Sequence, residues 1–275
     1  MTTRCLYTAE VLTAAVGFAL SHGVASAFTR PSPVPVERVN EDSLLIFDDE
    51  SGPVVLAVAD GAGGHPGGAD ASKAAVRALA QALETSREGN RRDAILDGFE
   101  AANRAVMNLG IGAATTLAVA EVGRDWVRSY HAGDSGVLVT GRQGKLKLVT
   151  LSHAPVAYAV EAGFIDEEDA LIHRDLNVVN NLIGFADLRI EIGPRRLLKR
   201  FDTVVVASDG LFDNLRQQEV ASHVRAGPLA ACAQSLIGLC TQRMQETDAD
   251  LPGKPDDLSF VLFRRAGVGE KPASA

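Results

Sequence analysis

Two stretches of this chain are apolar at almost every position. Residues 54–59 read Val-Val-Leu-Ala-Val-Ala and residues 203–207 read Thr-Val-Val-Val-Ala. Neither alternates with polar residues, so each predicts a β-strand buried on both faces. Shorter strand-like runs cover residues 43–47, 115–122, 126–132, 137–140, 146–150 and 259–263. Turns separate several of them, at Gly123-Arg124, at residues 133–136 and at Arg142-Gln143-Gly144. Helical spacing appears elsewhere. Ala71, Ala75, Leu79 and Leu83 line one face of a helix over residues 69–84. Ala94, Leu96, Phe99, Ala102 and Val106 do so over residues 93–108. Residues 217–224 and 229–244 give two more helices. Strands come in consecutive hairpins and helices in pairs, which predicts antiparallel sheets covered by helices, an α+β fold and not alternating βαβ units.

The rest of the chain is less regular. Residues 153–184 are irregular and acidic, and read as a small helical excursion above the sheet. Pro31-Ser-Pro-Val-Pro35 reads as a stiff extended connector, and residues 266–275 as a frayed tail. Near the start, residues 11–20 are apolar and lead to Val24-Ala25-Ser26-Ala27, a tetrad of small residues like a signal-peptide cleavage site. The only early positive charge, Arg4, is offset by Glu10, and the run is too short to span a membrane. Export by this segment is the alternative to a cytoplasmic protein. The chain reads as one domain over residues 1–275.

Composition narrows the possibilities. The chain is 46% hydrophobic but only 5% aromatic, so Val, Ala and Leu must build the core. Its net charge of −8 leaves no basic excess for nucleic-acid phosphates. Nothing suggests a membrane partner. Cys5, Cys232 and Cys240 form no C-x-x-C pair, which implies neither a disulfide framework nor a zinc site and fits a reducing compartment.

The candidate chemistry lies at the strand ends. The run 54–59 ends in Asp60-Gly61, and the run 203–207 leads through Ser208 to Asp209-Gly210. Asp134 sits in the turn after the strand at 126–132, and Asp256-Asp257 immediately precedes the strand at 259–263. Singly, an aspartate-glycine pair after a strand is an ordinary turn. Four carboxylates abutting apolar strands are different, because neighbours would repel and raise one another's pKa unless a cation sat among them. All-oxygen ligands imply a hard ion, Mg²⁺ or Mn²⁺. Gly61 permits close backbone approach, so its carbonyl is a further candidate ligand. Two ions roughly 3.5–4 Å apart sharing a carboxylate and a water form a hydrolytic site.

These residues belong to a longer ordered set. Arg38-Val-Asn-Glu-Asp42, Asp60-Gly-Ala-Gly-Gly-His65, Ala114-Thr-Thr116, Ala132-Gly-Asp-Ser135, Leu151-Ser-His153, Ser208-Asp-Gly-Leu-Phe-Asp-Asn-Leu215 and Asp256-Asp-Leu-Ser259 follow the order and spacing of the type-2C metal-dependent protein serine/threonine phosphatases. The chain resembles the bacterial catalytic domain of that family from about residue 40 to residue 263. The resemblance implies a four-layer α-β-β-α sandwich of two antiparallel sheets flanked by helix pairs, with a flap at about residues 155–184. It implies hydrolysis of phosphoserine and phosphothreonine in proteins by a metal-activated water at a binuclear Mn²⁺ or Mg²⁺ centre. Asp60 would bridge the ions, Gly61 would offer its carbonyl, and Asp209 and Asp256 would hold the second ion. Glu41 and Asp42 would act through water, and Asp134 matches the ligand of a third, weaker ion. A monomer and a cognate serine/threonine kinase are the corresponding partner expectations.

The chain also departs from the pattern. The family's phosphate-binding arginine falls at Glu37, one residue before Arg38, which is the remaining candidate for that role. Ala62 replaces the histidine of animal members, so water or another group must protonate the leaving alkoxide. Gly136 stands for a frequent arginine. Asp257 stands for the usual asparagine, where it either alters metal affinity or faces solvent. The glycine-rich loop 61–68 lacks the lysine-hydroxyl ending of a nucleotide-binding loop. His65 reads as a loop-structuring residue, His131 as packed or hydrogen-bonded, His153 and His173 as supports of the flap base, and Trp126 as core. Two other functions stay open: a catalytically weak regulatory binding module of the same fold, and a phosphatase of a small phosphorylated metabolite.

Overall fold

Alternate residues of β5 (Val54–Asp60) face two different cores. Val55, Ala57 and Ala59 pack under α1 (Gly68–Thr85) and α2 (Arg91–Met107), among Ala75, Leu79, Ile95 and Phe99. Val54, Leu56 and Val58 point the other way, into a core shared with a second sheet. The same holds for β12 (Thr203–Ala207). Val204 and Val206 enter that middle core. Val205 and Ala207 meet α5 (Gln217–Val224) and α6 (Leu229–Gln245) through Val220, Leu236 and Cys240. Both strands are therefore buried on both faces, which is why neither alternates. Three apolar cores separate four layers: helices, sheet, sheet, helices. The expected sandwich is the observed one.

The described residues of this computed structural model are 3–34, 39–86, 90–166, 169–170, 173, 175, 178–246 and 252–265. The first sheet contains β1 (Thr3–Thr8), β4 (Asp42–Asp48), β5, β6 (Leu117–Val122), β7 (Trp126–Ala132) and β10 (Glu191–Ile192), in the order β1-β4-β5-β6-β7-β10. A further short strand, β11 (Arg196–Leu197), also pairs with β7. The second sheet contains β2 (Val16–Leu20), β3 (Gly23–Arg30), β13 (Leu258–Arg265), β12, β8 (Gly136–Thr140) and β9 (Leu146–Val149), in the order β2-β3-β13-β12-β8-β9. All described pairings are antiparallel.

The structure goes beyond the sequence expectations at the N-terminal strands and differs from them at Trp126. The apolar run 11–20 and the tetrad 24–27 overlap two strands, β2 and β3. Ala27 of the small-residue tetrad pairs with Val261 of β13 in the interior of the second sheet. Small side chains here suit a strand pressed between a sheet and a helix layer as well as they suit a protease. The strands β1 to β3 were not legible as such. Trp126 is half-buried at the start of β7, with the Arg195 guanidinium 3.9 Å from its ring centroid, and does not sit in the core. In the flap region the helix α3 (Pro155–Glu161) is described, started by a proline in its first turn. The tail at 266–275 lies outside the described residues. No helix among the described residues is long and apolar enough to cross a membrane.

Candidate active site

The acidic site is assembled from the ends of strands in both sheets. On the first sheet, antiparallel register sets Asp42 of β4 directly opposite Asp60 of β5. Hydrogen bonds fix the Asp60 backbone. Its N–H donates to Thr116 Oγ1 at 3.0 Å. Its carbonyl accepts from the Thr116 N–H at 2.8 Å and from the Thr115 hydroxyl at 2.6 Å. Thr116 Oγ1 also lies 2.7 Å from Ser135 Oγ, which anchors the turn that carries Asp134. The two threonines and the Gly-Asp-Ser turn thus lock two carboxylate-bearing segments together.

Gly61 is required by packing. A Cβ there would overlap the backbone of Gly68 at the start of α1, and a Cβ on Gly68 would come within 2.7 Å of Glu41 Oε1. Only bare backbone lets the loop, the helix start and the Glu41 carboxylate meet.

The second sheet delivers the remaining acids. Beyond β12, Ser208 leads into the short helix α4 (Asp209–Phe212). Its N–H donates to the Ser259 carbonyl at 3.0 Å. A Cβ on Gly210 would collide with the Asp257 carbonyl, so α4 is seated directly on the loop before β13. That loop sets Asp256 beside Asp209. A cavity of about 410 Å³ results, lined by Glu41, Asp60, Gly61, Asp134, Asp209 and Asp256 together with Thr116 and Lys254.

Six of the eight sequence candidates therefore meet on one wall. Asp42 lies behind it, fully buried, with Oδ2 accepting a hydrogen bond from Ser208 Oγ at 2.9 Å. Arg38 lies outside the described residues. Asp257 does not face solvent. It is 4% exposed and accepts N–H bonds from Ser32 at 2.9 Å and Glu41 at 2.6 Å. An asparagine could accept through only one of its two terminal atoms, so the carboxylate here staples residues 32 and 41 to the β13 loop.

Two participants were missed. Lys254 Nζ lies 2.5 Å from Asp209 Oδ2, 2.9 Å from Asp213 Oδ2 and 3.0 Å from Asp256 Oδ2. Asp213 was visible only as part of the Ser208 motif, and Lys254 only as a cation two residues before Asp256.

Charge is crowded here. Burial pushes the Asp60 carboxyl well above the usual range, with Asp42, Asp209 and Asp256 adding to it. Burial and Asp257 do the same to Asp42, and burial and Asp209 to Asp213. Burial and Asp209 raise Asp134 to about 7 and Asp256 to about 6. Burial also pushes Asp209 upward, but Lys254 reverses the balance and holds it low. Asp42 Oδ1 and Asp209 Oδ1 are buried with no hydrogen-bond partner. Buried carboxylate oxygens of this kind suit a hard, oxygen-seeking divalent cation, so the donor set fits Mn²⁺ or Mg²⁺.

The histidines hold the loops around this wall. His153 Nδ1 accepts from the Gly133 N–H at 3.1 Å and from Asn181 Nδ2 at 2.9 Å. That assigns its proton to Nε2, which lies 3.2 Å from Glu191 Oε2. His131 stacks on it, centroids 4.5 Å apart, with Nε2 on the Leu151 carbonyl at 2.8 Å. His131, His153 and Glu191 are close enough to surround an ion, but the proton on His153 Nε2 occupies the atom that would ligate. The group instead braces the residue before Asp134 against flap residue Asn181. His65 reaches the Gly112 carbonyl at 3.2 Å and meets Phe185 edge-on, so it shapes its loop as expected.

Two antiparallel sheets between helix pairs, with carboxylates from both sheets gathered at one mouth, form the architecture of the metal-dependent serine/threonine protein phosphatases. The sequence model of the family described as Protein phosphatase 2C matches residues 36–235, and the chain belongs to that family. It is 28% identical to the serine/threonine phosphatase Stp of Listeria monocytogenes over 250 residues, 84% of this chain and 92% of the relative. The serine/threonine phosphatase structure from S. agalactiae superposes with a TM-score of 0.74 at 28% identity, covering 88% of this chain and 99% of that one. The catalytic domain of PstP in complex with two manganese ions has the same fold, with a TM-score of 0.71 at 23% identity, covering 88% and 98%.

Proposed function

We propose that the chain hydrolyses phosphoserine and phosphothreonine in proteins at a binuclear Mn²⁺ or Mg²⁺ centre built on Asp60. The observation that carries this reading is the meeting of Asp60, Asp209 and Asp256, from three strand ends in two sheets, on one cavity wall beside Gly61. In this reading Asp60 and the Gly61 carbonyl would hold one ion, and Asp60 with Asp209 and Asp256 the other, while Glu41 and Asp42 would act through water and Asp134 stands at the position of an optional third ion. Bound there, the ions supply Lewis acidity that activates water and neutralises phosphoryl oxygens.

The protein's own part is positional. The Thr115 and Thr116 bonds hold Asp60 in place before any ligand arrives, which limits reorganisation during the reaction. Ala62 offers no proton, so water or another group would protonate the leaving alkoxide. Arg38, in the segment before Asn40, remains the proposed phosphate contact. A phosphoprotein substrate and an opposing serine/threonine kinase follow from the same reading, and three free cysteines fit a reducing cytoplasm.

The test is hydrolysis of a phosphothreonine peptide with Mn²⁺ by the wild type and by Asp209→Ala. The expected outcome is turnover by the first and a loss of at least about 100-fold in the second, the scale of an essential electrostatic group. Equal rates, or no turnover at any metal concentration, would overturn the proposal.

A further inference from the structure

Lys254 stands where the acidic wall would otherwise hold only carboxylates. An ammonium has three N–H donors. Here each meets a different carboxylate, on Asp209, Asp213 and Asp256, within 3.0 Å. Asp209 opens α4, Asp213 closes it, and Asp256 comes from the loop before β13. Three carboxylates around one ammonium hold a tethered positive charge in the site.

The side chain is held in this position by its own backbone. Asn214, fully buried, donates from Nδ2 both to the Lys254 carbonyl at 2.9 Å and to the Gly210 carbonyl at 3.0 Å. Lys254 is thereby clamped to α4. Pro255 follows it and restricts its backbone to extended conformations. A Cβ on Gly253 would come within 2.7 Å of the Arg243 carbonyl, so the loop lies flat against the end of α6. A surface lysine that happened to swing inward would not be built on such a support.

The arrangement divides the carboxylates of the site. Oδ2 of Asp209, Asp213 and Asp256 all serve the ammonium, while Asp209 Oδ1 is buried without a partner. One oxygen of Asp209 therefore faces a tethered cation and the other is available to a divalent ion. Asp134, the candidate ligand of the optional third ion, lines the same cavity as Lys254. We propose that Lys254 is a built-in cation, held on Asp209, Asp213 and Asp256 in the cavity that Asp134 also lines, that takes the place of the third divalent ion. This chain then binds the two ions of the catalytic pair and excludes another. The proposal rests on the metal-centre reading of the proposed function. A tethered charge has no dissociation constant to satisfy, so it also holds the acidic wall together in metal-poor conditions.

Equilibrium dialysis against Mn²⁺, counted by atomic absorption, tests this together with the thermal midpoint in EDTA. The wild type is expected to bind about two ions per chain. Lys254→Met keeps the length of the side chain and removes its charge. It should bind one ion more, and Asp134→Asn in that background should remove the extra ion. Lys254→Met should also melt earlier than the wild type in EDTA and recover with Mn²⁺, while Lys254→Arg keeps the wild-type count. A wild type that already binds a third ion overturns the proposal, and needs no variant to fold. So does an unchanged count in Lys254→Met. A wild type that binds no Mn²⁺ overturns the metal-centre reading itself, and this inference with it.

Discussion

The Ser208 hydroxyl donates a 2.9 Å hydrogen bond to Oδ2 of the fully buried Asp42 and so ties the second sheet to the first behind the acidic wall. Ser208 also receives the Ser259 N–H at 3.2 Å. Its hydroxyl is thus shared by three chain segments. Ser208→Ala would remove one of the two hydroxyls, with Ser259, that serve the buried Asp42 carboxyl. An unsatisfied buried group costs about 1–3 kcal/mol. The expected result is a drop of that size in unfolding free energy by urea titration, with weaker Mn²⁺ binding by calorimetry. Unchanged stability would mean that water replaces the hydroxyl.

Thr116 couples two ligand-bearing segments through one oxygen, and Thr116→Val removes that oxygen at nearly constant volume. The Asp60 N–H then loses its acceptor and Ser135 its partner. We expect a stability loss of about 1–3 kcal/mol and a reduced kcat at saturating Mn²⁺. An equal kcat would show that Asp60 is positioned by its strand alone.

Gly61→Ala tests packing without changing charge. The new methyl would overlap the Gly68 backbone, and backbone at a helix start cannot move aside as a side chain can. Overpacking costs typically about 1–3 kcal/mol, occasionally more. Because Glu41 touches the same junction, Mn²⁺ affinity should fall together with thermal stability. Gly110→Ala, where space is open but φ is +69°, serves as a remote control and should lower stability alone.

Without metal, stability should depend on pH in a definite direction. Asp134 and Asp256 have folded-state pKa values raised to about 7 and about 6. In the unfolded chain such groups ionise near pH 4. Between those limits the unfolded state has given up protons that the folded state retains, so stability falls as pH rises. Asp209 is held low and titrates below this window. In EDTA the thermal midpoint should therefore decline from about pH 5 to pH 7, and the rise produced by Mn²⁺ should grow over the same range. A flat profile in EDTA would contradict the crowding of charge described above.

Much of this protein was legible in its sequence, for identifiable reasons. The runs at 54–59 and 203–207 are apolar throughout because each strand serves two cores, and burial on both faces leaves no polar positions to break the run. Asp60 and Asp209 were legible because they interrupt those runs at their ends. Helices α1 and α2 carry their apolar faces at the spacing that packing on a sheet demands. By contrast, β2 lies in an apolar run and β3 carries small and hydroxyl side chains, so neither shows a strand's spacing. Their form comes from pairing, β2 with β3 and β3 with β13.

The acids were a set of residues in the sequence, and their order matched a known pattern. Local chemistry could say that each follows or precedes a strand. It could not say that Asp257 turns inward to two backbone N–H groups, nor that Asp42 hides behind the wall that Asp60 lines. Those outcomes depend on strand register and on the glycine contacts that press α4 onto the β13 loop. Lys254 marks the limit most clearly. It lies 45 positions from Asp209 in the chain, within a short proline-glycine segment that carries no periodicity. The sequence determined which strands would be buried and where their carboxylates would emerge. Only the tertiary structure decided that a lysine would stand among them, because side-chain electrostatics acts through space and not along the chain.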